Sequence, residues 1–258
     1  VKASLLGEYL DFAAETAYLA GRLTLGYFST GVRPEYKADD SPVTIADRAA
    51  EELIRGRIEA RFPGHAIVGE EFGAGEVTGS SQRWFIDPID GTKAFIRGVP
   101  LYGVLLGLEV DGRIEAGAAY YPALDEMLSA ASGLGCWWNG RRARVSGISN
   151  LEQSYISCTD PGSFSHFGRQ AAWERLLRAV YHRAGWSDAY GYLLVATGRV
   201  EVMLDPIMSP WDCGPFPAIL REAGGFFGDW QGNETIYAGE ALATSAALLP
   251  QVLSILNE

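Results

Sequence analysis

The stretch Trp84-Phe85-Ile86-Asp87-Pro88-Ile89-Asp90-Gly91-Thr92-Lys93-Ala94-Phe95 decides how this chain is read. An apolar run ends abruptly in two carboxylates, Asp87 and Asp90, followed at once by Gly91 and Thr92. Burying two carboxylates a few ångströms apart is costly unless positive charge sits between them. A divalent cation supplies that charge, and Gly91 lets backbone N–H groups turn toward an anion. Two acids and a Gly-Thr turn at the end of a strand therefore point to metal-assisted phosphate chemistry. Taken alone, Asp-Pro-Ile-Asp-Gly reads equally well as a plain turn, because Asp, Pro and Gly all favour turns.

Further acids tip the balance. Glu70 and Glu71 follow the apolar run Ala66-Ile67-Val68, and Asp47 follows Pro42-Val43-Thr44-Ile45-Ala46. Trp211-Asp212 opens a segment that closes on Glu222-Ala223-Gly224-Gly225. In this order and at these spacings, from about Lys37 to about Trp230, the chain resembles the inositol-monophosphatase-like family of metal-dependent phosphatases. The Asp-Pro-Ile-Asp-Gly-Thr core together with the downstream Trp-Asp and Glu-Ala-Gly-Gly makes that resemblance specific.

Composition sets the outer bounds. The 258 residues suffice for one large domain or two small ones, and an apolar content of 48% is ordinary for a globular protein with a sizeable core. The net charge of −11 repels phosphate over most of the surface, which argues against nucleic acid or an anionic membrane as a general partner. A small phosphorylated substrate stays compatible, since bound cations invert the local field. No apolar run approaches the length of a membrane span. Val1-Lys2-Ala3 lacks the basic-then-apolar pattern of a secretion signal, and the expectation of a cytoplasmic protein comes from the cysteines. Cys136, Cys158 and Cys213 share no metal-binding spacing and read as reduced, buried thiols.

Periodicity outlines the elements. Leu5–Phe28 has helical spacing, and 29–40 reads as a loop. A second helix starts at Pro42-Val43-Thr44, with Thr44 and Asp47 spaced as a capping box and Phe62-Pro63-Gly64 as its end. Leu101–Glu109 and Ile114–Tyr121 flank Asp111-Gly112 as a hairpin; Glu126–Ser132, Gly135–Trp138 and the turn Asn139-Gly140 continue a mostly antiparallel sheet. The second half alternates: strands at Ser154–Cys158, Val200–Leu204, Phe226-Phe227 and Leu242-Ala243-Thr244, and helices at Arg169–Arg183, Ala189–Thr197, Asp212–Ala223 and Leu248–Leu256. Pro217 is expected to distort or delay the helix at Asp212–Ala223. Periodicity alone yields mixed α and β. The resemblance implies one inositol-monophosphatase-like domain over 1–258, an α/β (α+β) layered α-β-α-β-α sandwich with halves of about 1–148 and 149–258.

The resemblance also assigns roles. The positions matching Glu70, Asp87, the Ile89 carbonyl, Asp90 and Asp212 hold two or three Mg²⁺ ions, and an oxygen-only donor set suits that cation. Asp47 and Thr92 orient and deprotonate the attacking water, with Glu70 counted among the catalytic group; Asp47 reads equally as a helix cap. Backbone N–H groups of Gly91 and Thr92 hold phosphate oxygens. His65, His166 and His182 match no catalytic position. The longer strings Lys37–Thr44, Phe95–Pro100, Asp188–Gly198 and Gly228–Gly232 resemble the histidinol-phosphate phosphatase branch, while Lys93 after the Gly-Thr pair resembles that branch and the nucleotidase branch and reads equally as a solvated helix lysine. Asp90, Asp188 and Asp205 fall where the family contacts substrate, and acids there suit the ammonium and imidazole of histidinol phosphate. Asp188 reads equally as an N-cap and Asp205 as a turn residue before Pro206. The alternatives are an inositol-1-phosphate phosphatase, a 3′-phosphonucleotidase or, outside enzymes, a metal or phosphate sensor. A homodimer is implied by the family.

Overall fold

A computed structural model describes residues 2–38, 40–77 and 79–258. Asp39, part of the expected 29–40 loop and of the 37–44 string, lies outside the described residues. The larger sheet runs, edge to edge, Arg141–Arg142, Gly135–Trp138, Glu126–Ala131, Arg113–Tyr121, Gly103–Val110, Gln82–Asp90, Ala66–Gly69 and Gly73–Ala74. Its neighbours pair antiparallel, save Ala66–Gly69, which lies parallel to Gln82–Asp90. The smaller sheet is ordered His182–Arg183, Tyr155–Ser157, Val202–Asp205, Ala241–Ser245 and Gly225–Gly228.

Side chains alternate across a strand, and here that alternation divides them between three apolar clusters. Trp84, Ile86, Val104 and Leu106 pack with Ala13, Ala17, Ile54 and Ile58 of helices Ala3–Leu25 and Ile45–Arg61. Phe85, Leu105, Ala119 and Leu128 turn the other way, onto Leu193 of helix Tyr190–Ala196 and Ile219 of helix Phe216–Glu222. That middle cluster also takes in Met203, Ala241 and Ala243 of the smaller sheet. Val202, Leu204 and Leu242 face away from it and meet Trp173, Leu176 and Val252 of helices Gln170–Ala179 and Leu249–Leu256. The layers therefore run helix, sheet, helix, sheet, helix, as expected.

Three elements differ from the sequence reading. Pro42–Val43 is not the first turn of a helix but a short strand, paired antiparallel with Glu35–Tyr36 inside the expected loop. Helix Gln170–Ala179 stops before Arg183, because Val180 is extended and His182–Arg183 pairs parallel with Tyr155–Ser157. The expected Asp212–Ala223 helix is two pieces, Pro210–Cys213 and Phe216–Glu222, broken at Gly214-Pro215. Pro217 itself sits harmlessly in the first turn of the second piece, where N–H groups lack helical partners.

The break at Gly214-Pro215 is what seats Asp212. A Cβ on Gly107 would lie 2.1 Å from the Gly214 carbonyl oxygen, and one on Gly117 would lie 2.5 Å from Pro215 Cα. Only glycine lets the backbone at this break rest directly on the sheet. The short helix bearing Asp212 is thereby laid against strands Gln82–Asp90 and Gly103–Val110.

Candidate active site

Residues three apart on a regular strand face opposite sides. Asp87 and Asp90 escape this because the register against Gly103–Val110 slips between them. Pro88 has no N–H to donate to the ladder, and the Ile89 N–H is taken by Asp87 Oδ1 at 3.1 Å. A bulge of this kind re-aims side chains beside a site. Asp87 and Asp90 here join Asp212, each offering a carboxylate oxygen within 4.8 Å of the others. No other group of three such ligands occurs among the described residues.

Each of these acids is anchored. The Ala189 N–H donates to Asp90 Oδ2 at 2.7 Å, and the Ser209 N–H donates to Asp212 Oδ2 at 2.7 Å within a capping box. Burial, then the charges of Glu70, Asp90 and Asp212, hold the Asp87 carboxyl well above its ordinary range. Burial and the charges of Asp188 and Asp212 do the same for Asp90. Burial pushes Asp212 up to about 7, against the stabilising Ser209 bond. Three clustered acids that resist ionisation without a cation are a donor set suited to a hard divalent ion.

Glu70 stands beside this cluster, close enough for its charge to raise Asp87, but outside the three. Its Oε1 accepts from Lys37 Nζ at 2.8 Å, and the same ammonium reaches Glu71 Oε1 at 2.8 Å. Burial works against the Lys37 charge, but the bonds to Glu70 and Glu71 outweigh it and raise that pKa. Burial pushes Glu71 up to about 7. Lys37 reaches Glu70 across 33 positions, and no local pattern in the sequence announces such a contact.

Asp47 and Thr92 come together as a pair. Thr92 is the first residue of the short helix Thr92–Ile96, entered through Gly91 at φ 79. The Thr92 hydroxyl lies 3.0 Å from the Ile89 carbonyl and 3.3 Å from Asp47 Oδ1. Asp47 is fully buried and also serves the capping box, its Oδ2 accepting from the Thr44 N–H at 2.7 Å and the Thr44 hydroxyl at 2.6 Å. Burial raises its pKa, against the Thr44 bonds.

The two expected substrate acids part company. Asp188, in the left-handed region at φ 44, directs its side chain at Gly91, where a Cβ would lie 3.0 Å from Asp188 Oδ2. That oxygen is buried and has no hydrogen-bond partner. Burial raises the Asp188 carboxyl to about 6, with the nearby Lys93 opposing. Asp205 departs from the expectation: it is 2% exposed and both oxygens are engaged, by the Thr159 N–H at 2.9 Å and the Tyr192 hydroxyl at 2.8 Å. Its geometry is that of a brace joining a strand end to a helix. Nor does Asp188 cap helix Tyr190–Ala196, whose N-cap position is Ala189.

The histidines and cysteines stay outside the chemistry. His65 accepts from the Trp84 indole N–H at 3.1 Å and stacks on Phe62; His182 lies on an edge strand. Cys136, Cys158 and Cys213 are free and buried, and burial, then the charge of Asp212, holds the Cys213 thiol well above its ordinary pKa.

A sandwich of this layering, with clustered carboxylates beside a buried Asp–Thr pair at a Gly-Thr turn, defines a metal-dependent phosphoric monoester hydrolase. The chain matches the inositol monophosphatase family over residues 6–258, and it belongs to that family. It is 44% identical to a histidinol-phosphatase of Chlorobaculum parvum over 243 residues, covering 92% of this chain and 91% of that one. It is 34% identical to an inositol-1-monophosphatase of Mesorhizobium japonicum, covering 93% and 94%. The solved extragenic suppressor protein SuhB of Bartonella henselae superposes with a TM-score of 0.90 at 27% identity, over 97% of this chain and 99% of that one. No helix among the described residues is long and apolar enough to cross a membrane.

Proposed function

We propose that the protein hydrolyses L-histidinol phosphate to L-histidinol and inorganic phosphate, with Mg²⁺ held by Asp87, Asp90 and Asp212, and with Glu70 and the Ile89 carbonyl completing a shell for two or three ions. The observation that carries the substrate choice is the unpartnered oxygen of Asp188, buried beside Gly91. A buried carboxylate oxygen without a donor is costly. A substrate ammonium or imidazolium would satisfy it through a charge-assisted bond, which an inositol hydroxyl matches only in geometry and a second phosphate opposes. The 44% identity to the Chlorobaculum parvum histidinol-phosphatase supports the same choice. The 34% identity to an inositol-1-monophosphatase supports inositol 1-phosphate as the second reading.

Bound Mg²⁺ would supply Lewis acidity at the phosphate, at the attacking water and at the leaving oxygen. The chain's own groups do the rest. The Thr92 hydroxyl donates toward Asp47 and can accept from a water at the same time, so it relays the water's proton to Asp47. Burial has already raised the proton affinity of Asp47, which suits a base. Backbone N–H groups of Gly91 and Thr92 hold phosphate oxygens at the left-handed turn. Water attacks phosphorus as the ester P–O bond breaks, the departing alkoxide takes up a proton from solvent while Asp47 returns its own to solvent, and no covalent bond to the protein forms. The proposal includes a cytoplasmic homodimer, and the three free thiols suit a reducing compartment.

The test is phosphate release with Mg²⁺, comparing kcat/KM for histidinol phosphate, inositol 1-phosphate and adenosine 3′,5′-bisphosphate. A preference of about a hundredfold for histidinol phosphate, ~2.7 kcal/mol of transition-state discrimination, is expected. Comparable rates on all three would overturn the substrate choice and leave a broad phosphatase.

A further inference from the structure

We propose that Glu51 is a positioning residue for the metal site, fixing where Glu70 stands relative to Asp47; this rests on the roles given above to Glu70 and Asp47. Helix Ile45–Arg61 carries Asp47, Glu51 and Arg55 at intervals of four, so the three share one face. That face looks onto the active site at Asp47 and onto the residues after Glu70 at Glu51 and Arg55.

The Glu51 side chain is fully buried, and a buried carboxylate persists only when closely paired. Its pairing is aimed at one short segment. Glu51 Oε2 accepts from the Glu71 N–H at 2.8 Å, and Oε1 accepts from the Phe72 N–H at 3.3 Å and from Arg55 Nε at 2.7 Å. The Arg55 guanidinium donates in turn to the Gly73 carbonyl and lies over the Phe72 ring at 5.9 Å. The ion pair thus grips Glu71, Phe72 and Gly73, the three residues directly after Glu70.

Glu70 is held from its other side as well. Its own N–H donates to the Ile86 carbonyl at 3.2 Å, on the strand that leads into Asp87. Just before it, a Cβ on Gly69 would fall 2.0 Å from Glu51 Oε1, so the strand must end in glycine for the carboxylate to reach the following N–H groups. Glu70 is therefore pinned between the strand that supplies Asp87 and the helix that supplies Asp47. One turn of rigid helix separates Asp47 from Glu51 and transmits the spacing between base and ligand. The stripe Asp47-Glu51-Arg55 runs along the same helix whose Ala50, Ile54 and Ile58 are buried.

The experiment measures Mn²⁺ binding to the full chain by water-proton relaxation for the wild type, Glu51→Gln, Glu70→Gln and the double variant. Glutamine keeps the shape but sets an amide donor against backbone N–H groups. We expect Glu51→Gln to weaken the tightest Mn²⁺ site about tenfold or more, and to change it by less than about twofold once Glu70 is already Gln, because the clamp then has no ligand to position. Glu240→Gln, which loosens a buried carboxylate held by Arg169 and the Trp230 N–H, serves as the stability control: its Tm falls while Mn²⁺ binding stays unchanged. Equal weakening by Glu51→Gln in both backgrounds, or binding within about twofold of wild type, overturns the inference. Should Glu51→Gln fail to fold, Arg55→Lys, which loses the fork to Gly73, carries the same cycle with the same expected pattern. If Glu70→Gln alone binds Mn²⁺ as the wild type does, the assignment of Glu70 as ligand fails, and the inference falls with it by a result distinct from the others.

Discussion

Asp47→Asn separates two tasks performed by one buried carboxylate. Asp47 Oδ2 holds the helix start through the Thr44 N–H and hydroxyl, while Oδ1 faces the Thr92 hydroxyl at 3.3 Å. Asparagine keeps the shape and one oxygen. With that oxygen turned to Thr44, the amide nitrogen faces Thr92, whose hydroxyl keeps only the Ile89 carbonyl as acceptor. The relay then has no terminus. A positioned general base contributes roughly 10²–10⁴-fold, ~2.7–5.5 kcal/mol of barrier, and kcat should fall by that factor. The cost in stability is far smaller, about 1 kcal/mol for a weakened cap, or about 2–4 °C in Tm for a chain of this size. The clustered acids Asp87, Asp90 and Asp212 are untouched, so the Mg²⁺ concentration for half-activation should move little. The assay is initial-rate phosphate release at saturating Mg²⁺, paired with calorimetry. Thr44→Ala is the companion: it lowers Tm similarly but leaves kcat near wild type, because the Thr44 backbone N–H still holds Asp47. A kcat for Asp47→Asn within about tenfold of wild type, with Tm reduced, would refute the relay and leave Asp47 as a cap alone.

The metal-free protein should become more stable as pH falls from about 8 to about 5. Burial pushes Asp212 to about 7 and holds Asp87 and Asp90 well above their ordinary values. A carboxyl that binds its proton more tightly folded than unfolded favours folding fully below its unfolded pKa, about 4, and loses that contribution as pH rises through the folded value. Saturating Mg²⁺ should therefore raise Tm much more at pH 8 than at pH 5, and a flat metal-free profile in calorimetry would contradict the clustering. Gly91→Ala should lower Tm by a few degrees and sharply reduce kcat/KM, because φ is 79 and the new Cβ would meet Asp188 Oδ2 at 3.0 Å. The left-handed penalty alone is roughly 1–2 kcal/mol, and wild-type Tm and rates in this variant would show that the turn is not held as described.

What was legible in the sequence is what short-range physics decides. Asp111-Gly112 and Asn139-Gly140 announced two-residue hairpin turns, and all four residues have positive φ. The Thr44–Asp47 capping box forms as its spacing predicts. The strand ending in Asp87 and Asp90 and the alternation of sheet residues were readable from apolar patterning. The misses turn on neighbours that the local pattern does not name, close by in the chain for Pro42–Val43 and far away for His182–Arg183. Pro42–Val43 and His182–Arg183 are strands only because Glu35–Tyr36 and Tyr155–Ser157 lie alongside them. At Gly214-Pro215 the prolines Pro215 and Pro217 lack the N–H groups a continuous helix needs, while Gly107 and Gly117, a hundred residues upstream, leave room for that backbone on the sheet.

The acids of the site illustrate the same limit at the level of function. Asp188 and Asp205 are equivalent to any reading of composition or charge, and an acidic substrate pocket was expected from both. Their surroundings separate them: Asp205 meets an N–H and a tyrosine hydroxyl, whereas Asp188 meets a glycine and leaves one buried oxygen bare. A satisfied buried carboxylate stabilises the fold, while an unsatisfied one detracts from it until a donor arrives. Asp188 is therefore the acid whose cost a cationic substrate would remove. Glu51 makes the converse point to Asp188, since its carboxylate is fully buried and fully paired, and its three donors all steady the segment that presents Glu70. Counting partners, rather than counting acids, distinguishes a carboxylate that waits for a ligand from one that holds another in place.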